Sequence, residues 1–238
     1  MIQVRRAAER GHFNHGWLDT YHTFSFADYY DPGQMGFRSL RVMNEDRVKP
    51  GYGFGRHGHR DMEIVTYVIK GAITHQDHLG NQGRTEAGQI QVMSAGDGIQ
   101  HAEYNKENAE TELFQIWILP NKEGVPARWE TVQFPADARD GKLAPLASGR
   151  GHEGAIPLYA DGALYAGTLK AGQTIRQKLD GKPAYLVPAR GKIEVMGSDG
   201  KPVTANARDG VAVVDQDEIE LKAIEDAEIV LVETDKLN

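Results

Sequence analysis

Two pairs of residues in this chain have the types and spacing that chemistry requires. His57 and His59 are separated by one residue, and His101 and Glu103 repeat that spacing further along. Side chains on a strand alternate faces, so each pair projects to one side. Two such strands lying together gather three imidazoles and one carboxylate around a common point. Three nitrogens and one oxygen suit a divalent transition metal, and an octahedral shell keeps two positions open for substrate or dioxygen. Glu63 shares the parity of His57 and His59. On geometry alone it competes with Glu103 as fourth ligand, or orients an imidazole from behind.

The elements that must position these residues read as strands. Short runs rich in Ile, Val, Tyr and Trp recur, as in Glu63–Ile69, Leu113–Leu119, Lys192–Met196 and Ala227–Val232. They are bounded by Gly, Asn, Asp or Pro, and helical periodicity is weak. The expected fold is all-β, two antiparallel barrels of jelly-roll type with one or two short helices at most. Residues 121–154 are rich in Gly and Pro, which sets an N-terminal barrel at 1–130, a linker or crossover at 131–155 and a C-terminal barrel at 156–238. Eight of the nine histidines lie at or before His101, and His152 falls in the linker, so the chemistry is assigned to the first barrel. The second is expected to be a metal-free scaffold.

Other candidates carry less. His12, His15 and His22 sit among aromatics and are expected to be structural. His75 and His78 precede Leu79 and Gly80 and are expected in a solvated hairpin tip. Phe24, Phe26, Phe37, Phe114 and Trp117 read as core, with one or two lining a pocket.

Composition excludes several classes. The net charge of −7 argues against nucleic-acid binding, which needs a basic face. The cluster Arg5, Arg6, Arg10, Arg38, Arg41 and Arg47 reads as solvated surface. With no cysteine, thiolate ligands, disulfides and thiol redox chemistry are ruled out. No apolar run is long enough to span a membrane and the N-terminus lacks a signal-peptide core, so a cytoplasmic location is expected.

The spacing Gly51, His57, His59, Glu63, Gly71 resembles the first cupin motif. Gly88, Gly96, His101 and Asn105 follow the order of the second, with two extra residues before the histidine. The likeness narrows at His15–Asp19, His22–Phe26, Met35–Phe37, Leu40–Asp46, His57–Glu63, Met93–Gly98, His101–Asn105 and Gln115–Ile118. These segments are similar to the pirin family, closest over residues 1–130, and most like its bacterial quercetin 2,3-dioxygenase members.

The resemblance implies a bicupin with metal in the N-terminal barrel alone, held by His57, His59, His101 and Glu103. General cupins often use the carboxylate at the place of Glu63 instead. It further implies iron(II) as cofactor, although nickel, manganese, cobalt, copper and zinc fit the same donors. The activity it implies is O2-dependent opening of a flavonol such as quercetin with release of carbon monoxide, Glu103 serving as ligand and base. The alternative it carries is a non-catalytic, redox-sensitive metal protein with an unidentified protein partner.

Overall fold

The structure, a computed structural model, describes residues 1 to 235; the last three residues of the expected C-terminal barrel lie outside the described residues. Among the described residues strands dominate, accompanied by two single-turn helices at Ala7–Glu9 and Ala136–Arg139. No helix among the described residues is long and apolar enough to cross a membrane.

The chain divides into two compact units. One comprises residues 11–134 with Ile156–Ala160, the other residues 1–10, 135–155 and 161 onward. In the first, a seven-stranded antiparallel sheet runs in the order Arg128–Val132, Ile90–Ser94, Glu63–Lys70, Thr111–Ile118, Leu40–Val48, Leu18–His22, Gly11–Asn14. One of its inner strands, Glu63–Lys70, is buried at every position but the last. That is why its sequence is a continuous β-branched and aromatic run rather than an alternating one. A four-stranded sheet completes the unit in the order Gly53–His59, Ile99–Tyr104, Ala72–Asp77, Gln82–Glu86. Both histidine-bearing segments are in this smaller sheet.

In the second unit, Ile2–Arg5 pairs with Gly210–Val213, followed by Ala184–Arg190, Ala227–Glu233, Ala163–Leu169 and Ala144–Ser148. A four-stranded sheet of Thr174–Lys178, Glu218–Ala223, Lys192–Met196 and Pro202–Asn206 accompanies it. Leu186, Ile193, Val211, Leu221, Ile229 and Leu231 fill the core between them.

The boundaries depart from those expected at 130 and 156. The supposed linker contains a strand, Ala144–Ser148, whose Leu146 and Ala147 are fully buried. Its low β-propensity and a bulge beside Pro145 hide it among turn residues. The first strand of the chain, placed by position with the N-terminal barrel, belongs to the other unit.

Candidate metal centre

Pairing of Ile99–Tyr104 with Gly53–His59 sets the site. His101 stands opposite His57 and Ile99 opposite His59, and a bulge then shifts the register so that Glu103 faces Phe54. At Gly53 the two backbones approach so closely that an added Cβ would lie 2.1 Å from the Glu103 carbonyl oxygen. Only glycine permits that approach. The loop leading into Ile99–Tyr104 turns at Gly96, whose φ of +43° is left-handed and whose missing Cβ makes room for the Val125 carbonyl.

Metal-binding atoms of His57, His59 and His101 all lie within 4.8 Å of one another. The Nε2 atoms of His57 and His101 are 3.1 Å apart. On its other side the His57 Nδ1–H donates to the Gly55 carbonyl at 2.7 Å, which leaves Nε2 with its lone pair facing inward. Burial, reinforced by the neighbouring His57, lowers the pKa of His59 to about 4. Burial, together with the other histidines, lowers that of His101 to about 2. Both rings are therefore neutral near pH 7, the state in which imidazole binds metal. A proton or a cation must occupy the gap between the facing Nε2 atoms, and this donor set fits a divalent transition metal.

Glu103 shares the cavity but groups differently. Its carboxylate lies within 4.8 Å of donor atoms of His75 and His101, so the two groups overlap at His101. It accepts hydrogen bonds from Gln115 at 3.0 Å, from Gln91 and from Thr66 at 3.4 Å. Burial pushes its pKa up to about 7, the Gln115 bond opposes this, and the buried Asp46 adds to it. Burial likewise raises Asp46 to about 6, against a 2.6 Å bond from Thr20. The cavity measures about 220 Å³; Phe26, Phe54, Ile64 and Trp117 form its apolar walls, and Asn44, Asp46 and Gln115 are its polar side. A wider, open cleft of about 570 Å³ in the other unit is lined by charges already paired, such as Lys170 with Asp226.

Glu63 stands apart. It is buried, accepts bonds from Ser94 Oγ at 2.9 Å and Tyr159 N–H at 3.1 Å, and joins neither cluster among the described residues. Strand parity misleads here because it holds only within one strand. Between His59 and Glu63 the chain turns at Asp61, φ +45°, and enters the other sheet. Glu63 thus lies on the larger sheet, bonded to Ser94 and to the Tyr159 backbone.

His75 is the larger surprise. Expected at a solvated tip, it is fully buried, stacks on Trp129 at 4.7 Å and lies 3.4 Å from His101 through its Nδ1. The strand Ala72–Asp77 continues to the turn and pairs with Ile99–Tyr104, which brings His75 inside. Burial lowers its pKa despite the adjacent Asp77. The signal was available: His75 and Asp77 have the same alternate spacing as His57 and His59. His78, by contrast, is exposed and accepts the Gln100 N–H. His12 is exposed on Asp19, and His22 is buried against Phe26.

Comparison with known proteins accords with this geometry. The family described as Pirin matches residues 2–118, and the Quercetinase C-terminal cupin domain matches residues 145–234. A pirin-like protein of Caulobacter vibrioides is 49% identical, over 98% of this chain and 99% of that protein. The quercetin 2,3-dioxygenase of Escherichia coli strain K12 is 44% identical over 97% of each. The bacterial pirin YhhW of Escherichia coli, solved in complex with nickel(II), superposes with a TM-score of 0.91 at 39% identity, over 100% of both chains.

Proposed function

This chain belongs to the pirin family, and from that premise we propose that it is a metal-dependent dioxygenase that opens the heterocyclic ring of flavonols such as quercetin, consuming O2 and releasing carbon monoxide. The observation that carries the reading is a cluster of three imidazoles at an apolar-walled cavity that also holds a carboxyl group whose pKa burial pushes up to about 7.

In this reading His57, His59 and His101 hold the cation, with Glu103 as the fourth ligand or as its close neighbour. Iron(II) is our assignment, and nickel suits the same nitrogens. A divalent cation so held supplies Lewis acidity that stabilises a deprotonated flavonol hydroxyl. The rest falls to the chain. Phe54, Ile64 and Trp117 take up the planar ring and exclude water. Glu103, at the buried end, accepts the hydroxyl proton, and the bonds from Gln115 and Gln91 keep its oxygens aimed. Asp46, beside it, raises its proton affinity.

Incubation of metal-loaded protein with quercetin under air tests this. Loss of flavonol absorbance with evolution of carbon monoxide is expected; unchanged absorbance and no carbon monoxide reject the activity.

A further inference from the structure

The buried pair His75 and Asp77 has no part in the reading above, yet it stands directly behind His101. Strand Ile99–Tyr104 lies between its two neighbours, so His101 faces His57 on one side and Asp77 on the other. We propose that Asp77 and His75 form a hydrogen-bond relay that fixes the ring proton of His101 on Nδ1 and so presents its Nε2 unprotonated to the cation. This rests on the reading of His57, His59 and His101 as ligands.

The proton positions follow from donor and acceptor counting. Asp77 is surrounded by donors: Leu79 N–H at 2.9 Å and Asn81 N–H at 3.1 Å on Oδ1, and the Asn81 amide at 2.9 Å on Oδ2. It therefore accepts from His75, whose Nε2–H lies 2.9 Å from Oδ2. A neutral imidazole holds one proton, so His75 Nδ1 is an acceptor. The atom facing it at 3.4 Å, His101 Nδ1, must be the donor. His101 Nε2 is then bare, as His57 Nε2 is through its own bond to Gly55. Two lone pairs confront each other across 3.1 Å, a gap that a cation closes. The stack of His75 on Trp129, 7° from parallel, holds the ring against flipping. His75 and Asp77 are positioning residues: they act through His101.

The test uses the full chain and two substitutions. Asp77→Asn puts an amide donor opposite His75, which reverses each proton in turn and leaves His101 protonated on Nε2. His75→Gln keeps an acceptor for His101 and a donor for Asp77. In metal-free wild type, 15N shifts of the ring nitrogens should place the protons on His75 Nε2 and His101 Nδ1. In Asp77→Asn the pattern should invert, nickel(II) affinity by chelator competition should fall about 10- to 100-fold, and the iron(III)/iron(II) midpoint potential should rise as the carboxylate charge is lost. His75→Gln should retain most of the affinity. A wild-type His101 protonated on Nε2 overturns the relay, as does unchanged affinity and potential in Asp77→Asn. A second nickel per chain that His75→Gln abolishes also overturns it, making His75 a ligand. Wild type that takes up no nickel at all rejects the metal reading itself and the relay's purpose with it. The tautomers, read without metal, tell that failure from the others.

Discussion

A carboxyl group with a pKa of about 7 in the folded protein and an ordinary value near 4.5 when unfolded links the cavity to stability. Between those values the folded metal-free chain retains a proton that the unfolded chain releases, so the Glu103 contribution to stability declines as pH rises. Glu103→Gln removes that contribution. Its stability relative to wild type should therefore increase from about pH 4.5 to pH 7, by about 3 kcal/mol at most. Denaturant titrations of the two metal-free proteins across that range check this, and a constant difference contradicts it. In the loaded enzyme the same substitution should lower kcat by about 10²–10⁴-fold if Glu103 accepts the substrate proton. His101→Ala should lower bound metal several-fold while circular dichroism stays β-rich, as measured by metal analysis of purified protein. At this scale the sequence showed the His57–His59 and His101–Glu103 pairs, because alternate spacing survives into the folded strands. It did not show Glu63's separation, which depends on a turn between sheets, or the burial of His75, which depends on where a strand stops.

Elements bring those residues into register, and where the two ligand-bearing strands pair, a close tolerance lies at Gly53. A methyl there meets the backbone of Glu103 and Tyr104, which no side-chain movement can relieve. Gly53→Ala should force the strands Gly53–His59 and Ile99–Tyr104 apart, costing about 1–3 kcal/mol of stability. Metal content should fall with it, although no ligand is changed. Thermal unfolding and metal analysis on one preparation test both, and retention of full metal content refutes the tie between strand spacing and site. The long strands were legible because Glu63–Lys70 and Thr111–Ile118 are buried along most of their length and so carry runs rich in β-branched, leucine and aromatic residues. Gln82–Glu86 and Thr174–Lys178 were not, because half or more of each faces solvent and few of their residues are apolar. Polar edge strands are specified by their neighbours rather than by their own composition.

At the level of the whole chain, the asymmetry of histidine use predicts one metal per chain. His152, the single histidine beyond His101, is already engaged with Ser148 at 2.7 Å and Tyr165 at 3.2 Å, so metal analysis should return about one equivalent. The order of the chain is less simple than two barrels in succession. Ile2, Gln3, Val4 and Arg5 pair with Val213, Ala212, Val211 and Gly210, and Arg6 and Ala7 bind the Asp209 carboxylate at 2.7 and 2.8 Å. Ile2 and Val4 pack on the core of that second unit. No local pattern announces such a pairing across the length of the chain, since it is fixed by contacts far apart in sequence. Deleting residues 1–6 removes the two apolar side chains packed on that core, Ile2 and Val4, and exposes Gly210–Val213 as a sheet edge. The expected loss is about 2–4 kcal/mol from burial alone. Hydrogen exchange at the Gly210–Val213 amides should accelerate accordingly, before any change in the amides of Glu63–Lys70. Protection there equal to that of the full chain would show that the first strand merely rests against the sheet and does not help to hold it.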